Sequence, residues 1–162
     1  LITSQFANTN VEAPSVPPEV MSVFDEPDIR AVLDIGGEDM GARIVAALKN
    51  RITSADHELL MVINTKRPFT STVLQVIRMK TELEEACGIA ITGLVNNTNL
   101  LDASTPLDIH GSDELIREVS EISGIPYVFA AGILDQEVLE EQGEHNDRIP
   151  FLKMRRTVYY VE

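Results

Sequence analysis

Ala31-Val32-Leu33-Asp34-Ile35-Gly36-Gly37 is a short apolar run that carries one carboxylate and stops at two glycines. Such a run, bounded by glycine, predicts a strand buried on both faces, as in a parallel sheet. Downstream, residues 38 to 52 predict a helix with Met40, Ile44, Ala47 and Leu48 on one stripe. Leu59-Leu60-Met61-Val62-Ile63 predicts a second buried strand. Residues 69 to 86 predict the next helix, capped by Thr70 or Ser71, with Val73, Val76, Ile77, Leu83 and Cys87 on its apolar side and Gly88 as its stop.

Ile89 to Val95 predicts a third strand, and Asn96 to His110 a loop. Ser112 to Ser123 predicts a helix with an acidic first turn, ended by Gly124. Pro126 to Ala131 predicts a fourth strand, 134–142 a short acidic helix, and Phe151 to Val161 a last strand. Upstream, Pro14, Pro17, Pro18 and Pro27 punctuate residues 1–28. Proline fixes φ and removes backbone donors, so this part predicts an extended surface segment with room for one helical turn from Pro18 to Met21. Strands alternating with helices predict an α/β fold, a parallel sheet with crossover helices, over 29–162.

The 162 residues suffice for one domain with a sizeable core, and 44% of them are hydrophobic. No apolar run approaches the ~20 residues a membrane span requires. The formal net charge of −13 repels phosphate backbones, which argues against general nucleic-acid binding. Cys87 is the sole cysteine, so the chain holds no internal disulfide and no cysteine-rich metal site. That fits a reducing, cytoplasmic setting.

In an open α/β sheet, ligands sit beyond the carboxyl ends of the strands. Three predicted strand ends carry polar or glycine residues: Asp34 to Gly37, Asn64-Thr65-Lys66-Arg67, and Asn96-Asn97-Thr98-Asn99. An aspartate there can hold Mg²⁺ beside a phosphate, and glycine lets phosphate approach the backbone. The same residues can equally cap a helix and tighten a turn. Gly36 and Gly41 have the spacing of a phosphate loop, but Ala42-Arg43 stand where Lys and Ser/Thr are required, and Glu38-Asp39 would repel phosphate. An asparagine amide offers a donor and an acceptor to a nucleobase edge, and asparagine also favours turns. His57, His110 and His145 have no zinc-site spacing. Lys153, Arg155 and Arg156 read as a docking edge in an acidic chain or as the charged side of an ordinary edge strand.

The ordered set Val32 to Ala42, Met61 to Pro68 and Ile91 to Thr98 resembles the MinD/ParA-like branch of P-loop ATPases, with Ala13 to Glu19 preceding it. The resemblance extends to about residue 134. It implies a P-loop NTPase-like fold, ATP and Mg²⁺ as cofactors, and a homodimer as one assembly. It places Asp34 as the Mg²⁺-ordering aspartate, with Gly36 and Gly37 beside it. It places Asn96 as the adenine-recognising asparagine, with Asn97 next to it and Gly132 in a further loop beside the base. The family's first strand and lysine-bearing phosphate loop would fall before residue 1. Without them, residues 29–162 would form a partial nucleotide-binding domain that binds ATP weakly and does not hydrolyse it. The alternative expectation is a protein-interaction module that has lost the phosphate loop.

Overall fold

A computed structural model describes residue 2 and residues 16–26, 28–37, 39–133 and 149–155. They divide into two compact units, residues 1–57 with 81–90, and residues 58–80 with 91–162. The second contains a parallel sheet of four strands, β1 (Leu60–Ile63), β2 (Gly93–Asn96), β3 (Tyr127–Gly132) and β4 (Phe151–Lys153). They lie in the order β1-β2-β3-β4, so the described strands include no reversal of order.

Helices fill the connections from β1 to β2 and from β2 to β3, as a parallel sheet demands. Chain order gives α1 (Pro18–Val23), α2 (Asp39–Ser54), α3 (Val73–Cys87) between β1 and β2, and α4 (Pro106–Ser123) between β2 and β3. The expected α/β parallel-sheet class is therefore present. β2 has neighbours on both sides and all four of its residues are buried. Gly93 is required there: a Cβ would strike Leu60 on one neighbouring strand and Val128 on the other. Full burial of Leu94 and Val95 stabilises the fold by roughly 1.5–3 kcal/mol each.

Several expectations need correction. Residues 31–36 form no strand and pair with no neighbour among the described residues. Val32 is 97% exposed and Leu33 is exposed too. An apolar run becomes a strand only where a hydrogen-bonding edge receives it, and none of the described strands pairs with this one. On α2 the buried stripe is Ala42, Val45, Leu48 and Ile52, whereas Met40 and Ala47 face solvent. The true stripe keeps three- and four-residue spacing but is rotated about the helix.

α3 begins at Val73, later than expected, because Thr72 rather than Thr70 or Ser71 accepts from the Gln75 backbone N–H. It stops at Gly88, whose φ of 69° is the left-handed conformation that ends helices. α4 begins six residues before Ser112. Thr105 and Asp108 form a reciprocal capping box around Pro106 in the first turn, a signal legible as Thr-Pro-Leu-Asp. The third strand is shorter than expected, since Ile89 and Ile91 are buried without joining the ladder. β4 ends at Lys153, and the described part of the basic cluster does lie on or beside an edge strand. The expected helix over 134–142 and the end of the last predicted strand lie outside the described residues. Among the described residues no helix is long and apolar enough to cross a membrane.

Candidate functional site

The carboxyl ends of β1 and β2 are side by side, because Ile63 pairs with Asn96 in register. The loops that leave them are tied together by polar contacts. The Asn64 amide donates to the Asn99 carbonyl at 3.1 Å. The Thr65 N–H donates to Thr98 Oγ1 at 3.1 Å, and the two threonine hydroxyls share a bond at 3.2 Å. The Asn97 N–H donates to the Ile63 carbonyl, and Thr70 Oγ1 to the Asn64 carbonyl. Residues with short polar side chains dominate this region because they can satisfy a backbone that has left its ladder.

An ion pair ties the first of these loops to α4. Lys66 Nζ lies 2.7 Å from Asp108 Oδ1, while Asp108 Oδ2 accepts from the Thr105 backbone and hydroxyl. The bond from Lys66, and then those from Thr105, lower the Asp108 carboxyl from 3.8 to about 2. Lys66 is thus engaged with the first turn of α4, and Arg67 is exposed beside it.

Beneath the loops lies a buried polar network. Asn96 is 1% exposed. Its Nδ2 donates to Ser112 Oγ at 2.8 Å and to Asp113 Oδ1 at 3.1 Å, and its Oδ1 accepts from the Thr98 N–H at 3.0 Å. Tyr127 Oη donates to the same Asp113 oxygen at 2.6 Å. Burial first, and then the bond to Asp113, push the Tyr127 phenol far above its usual range. These contacts fasten α4 onto β2 and β3.

Asn97 is half-buried. Its backbone carbonyl accepts from Asn99 Nδ2 at 2.8 Å, and its own Oδ1 lies 3.5 Å from that nitrogen. Gly132 is buried at the end of β3, where a Cβ would crowd Ile109 of α4 and Phe151 of β4. Its lack of a side chain is thus explained by packing.

Asp34, Gly36 and Gly37 belong to the other compact unit, and all three are exposed. Neither glycine has a positive φ, and a Cβ on either would meet nothing within 4 Å. Gly41 is the constrained member of the Gly36–Gly41 pair, since a Cβ there would collide with the Gly36 carbonyl. That spacing therefore records a close approach of backbone to the start of α2. The described residues contain no group of three or more His, Cys, Asp or Glu arranged to hold a metal. A lone exposed carboxylate fits Mg²⁺ only in the manner of an ion that brings phosphate and water ligands with it.

The structure thus brings Asn96, Asn97 and Gly132 to one end of one sheet and places Asp34, Gly36 and Gly37 in a different unit. Sequence reasoning missed Ser112, Asp113 and Tyr127, which hold Asn96. The readable signal was the three- and four-residue spacing of Ile109, Ser112 and Ile116, which puts a serine on the buried side of α4. No protein family, curated protein or solved structure matches this chain.

Proposed function

We propose that the chain is an ATP-binding α/β protein of the MinD/ParA-like P-loop type, with the base of the nucleotide at the carboxyl ends of β1 and β2. The observation that supports this reading most is the pairing of two asparagine- and threonine-rich loops, Asn64–Thr70 and Asn96–Asn99, at the carboxyl ends of adjacent parallel strands. Asp34 is assigned to Mg²⁺, which would supply charge neutralisation at the phosphates when bound. The chain contains no Gly-x-x-x-x-Gly-Lys-Ser/Thr, so the proposed role is binding without hydrolysis by these residues alone.

Calorimetry of the chain with ATP tests this reading, in Mg²⁺ and again in EDTA. Binding should weaken in Asp34→Ala with Mg²⁺ present and be unchanged by that substitution in EDTA. Equal binding by both proteins in Mg²⁺ removes the metal assignment. No heat with ATP under either condition removes the nucleotide reading.

A protein-interaction module is the second reading, and one observation favours it. Phe69, Leu74 and Leu107 are 75%, 78% and 72% exposed on the segments that follow β1 and β2. Apolar side chains grouped at one end of a domain mark contact surfaces.

A further inference from the structure

Charge is spread unevenly along the chain. The whole sequence carries 26 acidic and 13 basic side chains, yet residues 64–80 hold Lys66, Arg67, Arg78 and Lys80 and no carboxylate. This stretch comprises the loop after β1 and the first half of α3, and all of it lies in the second compact unit. The same stretch displays apolar side chains. Phe69 and Leu74 are exposed, and Leu74 shares a side of α3 with Arg78, four residues on. Lys66 is paired with Asp108, and the exposed cation beside Phe69 is Arg67.

The segment after β2 adds exposed Leu101 and Leu107, and the Asn64–Asn99 and Lys66–Asp108 contacts bring it to the same end of the sheet. Leu101 has a φ of 56°, a left-handed backbone that leucine rarely adopts. Its N–H donates to Asn99 Oδ1 and its carbonyl accepts from the Ser104 hydroxyl, which hold that backbone in place. The strained residue presents its side chain to solvent instead of to the core. Apolar anchors with cations beside them fit a partner that carries apolar and acidic side chains together. A lipid surface or a nucleic acid fits less well, because its charge extends past the patch and meets a chain of net charge −13. At physiological salt, fields decay over about 8 Å, so a short peptide senses only the local cations.

We propose that Phe69, Leu74, Leu101 and Leu107 form a docking surface for a short acidic segment of a protein partner, with Phe69 and Leu74 as apolar anchors and Arg67 selecting acidic over basic sequences. This inference rests on the interaction reading above and not on the nucleotide one. Fluorescence anisotropy of the full chain with a labelled peptide repeating Glu-Leu-Glu-Phe tests it. One control peptide has Lys in place of Glu, and another has Ser in place of Leu and Phe. The acidic apolar peptide should bind, and both controls should bind at least about tenfold more weakly. Phe69→Ser should weaken binding about tenfold. Arg67→Glu should weaken it severalfold, and added salt should weaken the wild type more than this variant. Ile122→Ser should bind like the wild type, since Ile122 is an exposed apolar residue of α4 set beside Glu118 and Glu121. Phe69, Arg67 and Ile122 are all exposed, so the variants should keep the fold, as circular dichroism verifies.

Three results would count against it. If the lysine peptide binds as tightly as the acidic one and Phe69→Ser weakens both, the contact surface stands and its selection of acids is wrong. If the acidic peptide binds the wild type, Phe69→Ser and Arg67→Glu alike, the docking surface lies elsewhere and only the interaction reading survives. If the acidic peptide does not bind, the proposal is overturned, and binding of phosphatidylserine vesicles in its place would assign the patch to lipid.

Discussion

Ala31–Ile35 and Gly93–Asn96 are similar as sequence, two short apolar runs with a polar residue near the carboxyl end, and opposite as structure. The second is wholly buried between two paired strands. The first joins no ladder among the described residues, and Val32 in it faces solvent almost completely. Hydropathy is a property of the run, whereas strand formation depends on a free edge beside it. The contrast extends to the polar residues. Asn96 is buried and triply bonded, and Asp34 is exposed.

The largest expected effect breaks the comparison at its apolar residues. Leu94→Ala should destabilise the protein by about 2–5 kcal/mol, the range for emptying a packed core site. Val32→Ala should change stability by no more than about 0.5 kcal/mol, as at an exposed position. Urea unfolding of the two variants in parallel measures both. A cost at Val32 close to that at Leu94 would mean that the first run is buried in the folded protein after all.

The next effect concerns the polar residues. Asn96→Ala should cost about 1–3 kcal/mol, because the buried Thr98 N–H loses its acceptor and the Asp113 carboxylate loses a donor. Asp34→Ala should be near neutral in the absence of ligand. The same unfolding series, extended to these variants, checks the pair. Equal costs would erase the distinction between an engaged amide and a free carboxylate.

Glycine substitution sharpens the contrast inside the first unit. Gly41→Ala should cost about 1–3 kcal/mol, since α2 must move off the Gly36 carbonyl or strain to keep its place. Gly36→Ala should be tolerated, because open space surrounds that position and its φ is negative. Comparing the helical circular dichroism and unfolding midpoints of the two variants decides the matter. A larger loss from Gly36→Ala would return the loop to the role of a strained turn.

The α/β class, the helices α2 and α3, and the strands β1 to β3 were legible because period and punctuation agree. Apolar runs such as Leu59–Ile63 are too short for helices, and Gly88 and Gly124 end α3 and α4 in left-handed backbone. What the sequence misplaced depends on partners. Whether Val32 has a neighbour, and which side of α2 is covered, are set by tertiary contacts that one-dimensional patterns do not contain. The start of α4 is a different kind of miss. Thr105-Pro106-Leu107-Asp108 spells a capped helix start, and Asn99–Leu101 upstream masks it by reading as loop. For the site, the polar motifs at the ends of β1 and β2 were visible, and the burial of Asn96 was not. Only the folded position of Ser112 and Asp113 distinguishes it from Asn97.

The smallest effect tests whether the loops over β1 and β2 are tied from above as well as from below. Lys66 and Thr105 hold the Asp108 carboxyl near 2, below its ordinary 3.8. A lowered carboxyl favours the folded state above 3.8, and that contribution fades as pH falls through about 2. Lys66→Met removes the largest cause, so the Asp108 carboxyl should titrate closer to 3.8, as followed by its carbon resonance. The acid-unfolding limb of the variant should become correspondingly shallower between those two values. Because Lys66 is partly exposed, raising the salt concentration should move the wild type in the same direction by a smaller amount. A midpoint that stays near 2 in Lys66→Met would assign the shift to the Thr105 cap alone. Among the described residues, the Asn64–Asn99 and Thr65–Thr98 contacts would then be what ties the loop after β1 to the loop after β2.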